Sequence, residues 1–281
     1  MNISNNHQRN SDFFDKIFRI IKNLANDIKR FFTNESIYGI FNSNKRVLLF
    51  LIEEKILTID KNIALLIYKT YSYDSYFKKE IKPFIDKDLG SIPSDYEEKR
   101  RIGENDDYAC ELIRNDNVDD FISYWEKNNK KFDSYSDFNS SYYETNKFPT
   151  YNNCRYINYA AYFGSIQILN YLIEKKVALK PEIWLYAVHS KNTEMIFTLE
   201  ENNIELNGEI FEKCIKEAIC CHHNDIASYL QSNYMDLASQ YSNSIISAAL
   251  SSYNFTFIRK ESIIESNYYY LFKYNYLYIV I

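Results

Sequence analysis

The residue types that could do chemistry in this chain crowd into one short stretch: Cys214, Cys220, Cys221, His222 and His223. Zinc chemistry needs thiolates and imidazoles that converge tetrahedrally, usually from spaced pairs. Four consecutive residues at 220–223 spread around a helix end and cannot all reach one ion. The reading is therefore structural packing, with no metal ligand assigned. A Cys–His nucleophile would need a cleft around His189, His222 and Cys221, and no local spacing supports one. The five glycines form no GxGxxG, no phosphate loop before Lys-Ser/Thr and no GxSxG. Glu53/Glu54 and Glu200/Glu201 are consecutive, so on a helix their carboxylates diverge rather than form an acid–base pair. The expectation is no catalytic residue, no cofactor site and no metal site, hence not an enzyme.

The elements that carry these residues repeat. Tyr159–Leu172, Tyr186–Leu199 and Glu217–Leu230 share one pattern: an apolar run ending at small residues, a brief turn, then Ile/Met-x-x-x-Leu. Ala160, Ala187 and Ala218 correspond, at separations of 27 and 31 residues. Two helices joined by a tight turn explain the pattern, because the small residue permits close approach and the second run faces the same core. One such pair cannot bury its apolar face alone, so neighbouring pairs must stack. Val47–Lys55 reads like Ile168–Lys176, Leu112–Tyr124 aligns with Ala160 onward, and Ala249 lies 31 residues after Ala218.

The layout resembles the ankyrin repeat. The first copy keeps Ala160-Ala161-x-x-Gly164 followed by Ile168-Leu169 and Leu172, and the third keeps His223 after the turn, then Ile226 and Leu230. The Thr-Pro-Leu-His opening is replaced by Arg155-Tyr156-Ile157-Asn158 and by Glu182-Ile183-Trp184-Leu185, and the Gly by Lys191 and His222. Residues 156–232 look like an ankyrin-like domain of unknown function, abundant in ankyrin-repeat proteins of protists with AT-rich genomes. Residues 38–125 look like the helical segment that precedes it. The resemblance implies an ankyrin fold and a protein-interaction role, without an activity.

Composition agrees with helices. Of 281 residues, 46% are hydrophobic and 17% aromatic, while Gly (5) and Pro (4) are scarce. That scarcity disfavours sheet-rich folds with many tight turns and predicts short, loop-like fingers in place of Gly-dependent hairpins. The net charge of −5, without a basic stripe, argues against nucleic acid as a partner. Five irregularly spaced Cys suggest a reducing compartment. A polar N-terminus without a signal-like apolar core, and no run approaching the roughly 20 residues that span a bilayer, make cytoplasmic the expected localisation.

Along the chain, residues 1–11 are expected to be disordered. Residues 12–34 form an amphipathic capping helix on Phe14, Ile17, Ile21, Leu24, Ile28 and Phe31. Residues 35–127 form a helical region with degenerate repeats, with Asp60 and Asp74 as N-caps, Pro83 shortening one helix, and a Ser94–Glu97 capping box. Residues 128–153 are an insertion loop, 154–260 the ankyrin-like repeats, and 261–281 an incomplete terminal repeat, as a truncated product or an oligomer contact would leave. Trp184 belongs to the core.

The expected fold class is all-α: an ankyrin-type helical-hairpin solenoid with degenerate repeats. The expected function is a non-enzymatic protein–protein interaction module gripping an unidentified protein partner. Lys180, Glu182, Glu205, Asn207 and Glu209, on the loops at 178–182 and 205–209, are the candidate contact residues. The alternative is a self-associating structural protein, a homo-oligomer joined through the N-terminal helix or the open C-terminal end.

Overall fold

The computed structural model describes residues 11–127, 140–146, 148–149, 154–258, 263–273 and 276. Expectations for residues 1–10, most of the 128–153 insertion and the last residues of the chain lie outside this set. Every regular element among the described residues is helical. The chain divides into two compact units, Met1–Asp107 with Asn139–Asn153, and Tyr108–Phe138 with Cys154–Ile281. Among the described residues no helix is long and apolar enough to cross a membrane.

The first unit holds α1 (Ser11–Asn23), α2 (Ala25–Phe31), α3 (Asn34–Phe41), α4 (Lys45–Glu53), α5 (Lys61–Lys69), α6 (Tyr73–Tyr76), α7 (Lys78–Ile81) and α8 (Tyr96–Ile102). Three starts are fixed by side-chain caps: Thr33 accepts from Ser36 N, Asn44 from Val47 N and Asp60 from Ile63 N. Asp74 does not cap; Ser72, in the left-handed region, precedes α6, and Asp74 sits within its first turn. Nor does a Ser94–Glu97 box form, since α8 starts after Asp95 and has no side-chain cap. Pro83 lies at the start of a 3-10 turn, Lys82–Phe84, because it cannot donate to a continuing helix.

The predicted helix over 12–34 breaks at Leu24. Phe14 and Ile21 are buried and Ile17, Phe18 and Ile28 pack beside them, but Leu24 and Phe31 are exposed. A straight helix would have kept the whole stripe on the core.

The described part of the insertion is a buried wedge. Tyr143, Glu144 and Asn146 are buried. The Glu144 carboxylate accepts from Asn105 N (3.1 Å), Asn146 N (2.8 Å) and Asn146 Nδ2 (2.7 Å), while Thr145 N donates to Gly103 O at 2.9 Å. Lys45 Nζ donates to the carbonyls of Tyr142 (2.9 Å) and Glu144 (3.2 Å), which satisfies a loop backbone that water cannot reach.

Lys45 is 5% exposed, and burial pulls its pKa down to about 8 against the opposing pull of Glu144 and Asp74. A depressed folded-state pKa means that the unfolded chain binds the extra proton between that value and the ordinary 10.5. The lysine's contribution to stability is therefore present above the ordinary value and lost as pH falls through 8. Unfolding free energy measured by urea titration is expected to rise from pH 8 to pH 10 by up to about 1 kcal/mol per pH unit more than in Lys45→Met. Parallel curves for the two proteins would refute the assignment.

The second unit contains α9 (Tyr108–Arg114), α10 (Val118–Lys127), α11 (Tyr156–Phe163), α12 (Ile166–Glu174), α13 (Ile183–Ser190), α14 (Thr193–Glu201), α15 (Gly208–Cys220), α16 (Asn224–Asn233), α17 (Met235–Gln240), α18 (Ser242–Ser251) and α19 (Tyr268–Lys273). Helices α9, α11, α13, α15 and α18 pack in that order, each against the next, and each of the first four also packs against the helix that follows it in sequence. Ala160, Ala187, Ala218 and Ala249 are fully buried at corresponding places near the ends of α11, α13, α15 and α18. The small side chain is what allows the helix axes to approach.

Two backbone devices recur with the same register. Four residues after Leu112, Ala160, Ala187, Ala218 and Ala249, the chain enters the left-handed region, at Asp116, Gly164, Lys191, His222 and Tyr253. One residue further, the N–H groups of Asn117, Ser165, His223 and Asn254 return to the carbonyls of Leu112, Ala160, Ala218 and Ala249 at 2.8–3.0 Å. This closes the helix with the bond pattern of a Schellman turn. Glycine suits that conformation, so Lys191, His222 and Tyr253 hold it at a steric cost. The outer helices end alike: Lys176 and Asn203 have positive φ, and Val177 N and Ile204 N return to Leu172 O and Leu199 O. In the first unit, α4 ends the same way at Lys55, with Ile56 N on Leu51 O, and buries Val47, Leu48 and Leu51 as α12 buries Ile168, Leu169 and Leu172.

Side chains couple one layer to the next. Ser165 Oγ donates to Ile113 O, Asn254 Nδ2 donates to Ile219 O at 2.9 Å, and His223 Nδ1 lies 2.9 Å from Val188 O. Each reaches the carbonyl that follows the register position, Leu112, Ala218 or Ala187, of the preceding layer. Asn192 Nδ2 instead donates to Gly164 O at 3.3 Å. Asp116 accepts from the N–H groups of Gln167 (3.1 Å) and Ile168 (3.0 Å) and so caps α12 from the neighbouring hairpin.

Candidate functional site

The stretches at 178–182 and 205–209 occupy equivalent places, the first between α12 and α13, the second running from the turn after α14 into the first turn of α15, so that Glu209 lies on a helix and not on the expected loop. Each is anchored by one apolar side chain, Val177 or Leu206, which is buried while its polar neighbours face water. Lys180, Glu182, Glu205, Asn207 and Glu209 are all exposed. They are not equally free. Asn207 Oδ1 accepts from Ile210 N at 3.0 Å and caps α15. Glu209 pairs with Lys213 one helical turn on, which holds its carboxyl below the usual range. Lys180, Glu182 and Glu205 are left as the surface features that a partner could contact.

The five residues with metal-like chemistry part company. Cys214 is buried in α15, and burial pushes its thiol well up. Cys220 is half-buried, and burial raises its thiol to about 11. The His222 imidazole Nε2 lies 2.9 Å from Ser252 O, and His223 is committed to Val188 O. Burial, the largest influence, lowers the pKa of His223 and favours the neutral ring.

Cys221 instead faces His189 on the neighbouring inner helix, with Glu217 between them. His189 Nε2 lies 2.8 Å from Glu217 Oε1, the Cys221 thiol donates to the same oxygen at 3.4 Å, and Cys221 Sγ lies 3.8 Å from His189 Nδ1. One ligand-type atom from each residue lies within 4.8 Å of the others. Cys221 is fully buried, the His189 side chain is 9% exposed, and Glu217 keeps 26% of its side chain in water. Burial works against the charge of Glu217, yet hydrogen bonding to His189 and its charge hold the carboxyl below its usual range. Burial and the adjacent carboxylate push the Cys221 thiol far up, so this cysteine is a poor nucleophile as it stands. Tyr162, from the preceding layer, sets its ring 5.2 Å from that of His189 and closes the other side.

Reading along the chain missed this trio because its members meet across layers. His189 and Cys221 stand 32 residues apart, about one repeat, and Glu217 lies one helical turn before Cys221. Reading down the repeat column, from Ala187 to Ala218, would have found them.

Surface grooves among the described residues lie elsewhere. One of ≈ 560 Å³ is lined by Ser228, Gln231, Met235, Ser242, Ile245 and Phe257 and offers no titratable side chain. Another, ≈ 380 Å³, lies in the first unit beside Lys69, Tyr71, Asp74 and Tyr142. Comparison with protein-family models, with curated proteins and with solved structures finds no match for this chain.

Proposed function

We propose that the chain is a non-enzymatic interaction module of the ankyrin type, in which stacked hairpins present short loops to a protein partner. The observation that carries this reading is the recurrence of one layer design, with the same left-handed turn from Asp116 to Tyr253 and the same buried small residue at Ala160, Ala187, Ala218 and Ala249. A row of layers pinned to each other by side-chain-to-carbonyl bonds loses little entropy when a partner settles on it. Lys180, Glu182 and Glu205 supply exposed charge of both signs on adjacent loops.

The test is affinity capture from the native cell with the wild-type chain and a Lys180→Ala, Glu182→Ala, Glu205→Ala triple variant. Recovery of the principal partner is expected to fall at least about tenfold, consistent with the loss of a few central contacts, while far-UV circular dichroism stays the same. Equal recovery would remove the loops from the interface.

A second reading is self-association, favoured by the outer side of α1 and α2, where Ile20 is 58% and Phe31 68% exposed. Light scattering on the full chain and on an Ile20→Asp, Phe31→Asp variant separates the two. A concentration-independent monomer for both would end this alternative.

A further inference from the structure

We propose that His189, Glu217 and Cys221 form a zinc site in the second unit, with one imidazole nitrogen, one carboxylate oxygen and the thiolate sulfur as protein ligands and a water or a partner's donor as the fourth. This inference stands apart from the interaction role and does not depend on it.

Three features of the trio support it. The first is distance. Zinc holds nitrogen and oxygen at about 2.0–2.2 Å and sulfur at about 2.3 Å, so tetrahedral ligand edges fall at about 3.4–3.6 Å. The Sγ–Oε1 separation of 3.4 Å already matches such an edge, and one imidazole nitrogen, one carboxylate oxygen and the sulfur all lie within 4.8 Å of one another. Only one of the two ring nitrogens can bind the ion; through Nε2, its 2.8 Å contact with Oε1 opens by a fraction of an ångström as the ion enters. Glu217, with its side chain partly in water, is the member with room to move.

The second is charge. A thiolate, a carboxylate and a neutral imidazole carry two negative charges, and one divalent ion brings the total to zero. A neutral assembly is what a buried position tolerates, whereas the thiolate beside the carboxylate without a cation is not. Binding exchanges the thiol S–H for an S–Zn bond and releases that proton to solvent. The third is construction. The ligands come from two successive layers, so the ion would tie α13 to the end of α15, where His222 holds a strained left-handed turn. A ligand set of three protein groups, one of them on the solvent side, leaves the open fourth position typical of zinc sites that exchange a ligand.

The experiment uses the purified full chain, stripped with a chelator and titrated with cobalt(II) as the spectroscopic stand-in for zinc. One equivalent is expected to produce a thiolate-to-cobalt charge-transfer band in the near ultraviolet and the strong visible bands of tetrahedral cobalt. Zinc should abolish both. Cys221→Ser is expected to lose the charge-transfer band, His189→Ala and Glu217→Gln to weaken binding at least about tenfold, and Cys220→Ser to bind like the parent chain. The wild-type spectrum decides the matter without relying on any variant to fold. Absence of the charge-transfer band, its persistence in Cys221→Ser, or its loss in Cys220→Ser with native circular dichroism would each overturn the site.

Discussion

Replacing Trp184 with alanine is expected to lower the unfolding free energy of the second unit by about 4–6 kcal/mol. Truncating a large buried aromatic costs about 3–5 kcal/mol through lost transfer energy and the cavity left behind. Trp184 is fully buried, and its indole Nε1 also donates to Ile204 O at 2.9 Å, so the substitution strands a carbonyl as well. That carbonyl lies between α14 and α15, just before Glu205. The indole therefore both fills the layer and ties down the second exposed loop. Trp184→Phe keeps most of the volume but drops the donor, so it should cost less, about 1–2 kcal/mol. Urea unfolding followed by far-UV circular dichroism gives both numbers. Hydrogen exchange should show faster opening of residues 204–207 in the Phe variant. An alanine variant within 1 kcal/mol of the parent would mean that the layer repacks around the gap and that Trp184 is dispensable.

Arg100→Ala is the second large effect, in the first unit. Arg100 is 2% exposed. Its Nη1 donates to both Glu80 oxygens at 2.8 Å, its Nη2 to Glu97 Oε2 at 2.8 Å, and its guanidinium carbon lies 4.9 Å from the Tyr96 ring centre. Removing one member of a buried pair leaves an uncompensated charge and costs about 3–5 kcal/mol, far more than the pair's own net value. Burial already pushes the Glu80 carboxyl above its usual range, outweighing the opposing Arg100 charge. Without the arginine it rises further. The sign follows from proton linkage. A carboxyl whose folded pKa is raised stabilises fully below its ordinary value of 4.5 and loses that stabilisation as pH climbs through the raised value. The loss caused by Arg100→Ala should thus be largest near pH 7 and shrink towards pH 4.5. A double substitution, Arg100→Met with Glu80→Leu, should recover most of the stability at neutral pH, because an apolar pair of similar volume carries no desolvation cost. A pH-independent loss would show that packing on Tyr96, not charge, is what Arg100 contributes.

Much of the layering was legible in the sequence, for a definite reason. Ala160, Ala187 and Ala218 must be small because helix axes meet there, and a steric demand of that kind restricts residue type directly. Trp184 belongs to the core by its helical spacing and by its match to the buried Leu position of the repeat that the chain resembles, and it is fully buried. The kinship of Val47–Lys55 with Ile168–Lys176 was visible as an apolar pattern, and the matching left-handed residues Lys55 and Lys176 extend it to the backbone. Other features left no local trace. The 140–146 segment reads as polar loop, and bonds from the amine of Lys45, about a hundred residues away, and from the Gly103–Asn105 backbone make its burial tolerable. The break at Leu24 keeps Ala25 and Ile28 against the core while Leu24 and Phe31 face water, a change of direction that periodicity cannot report. Asp74 has the type of an N-cap, but the turn through Ser72 places the helix start two residues too early for it.

By itself, then, the sequence determined the helical class, the register of the hairpins and the positions that must be small or aromatic, because each depends on contacts between residues three to five apart or at equivalent places in the repeat. Tertiary structure decided which polar side chains meet. His189, Glu217 and Cys221 share a corner only because two layers stack in register, and Arg100 faces Glu80 only because α8 folds back towards α7. Such encounters join residues 20 to 32 positions apart, and nothing in their local sequence constrains them until the helices dock.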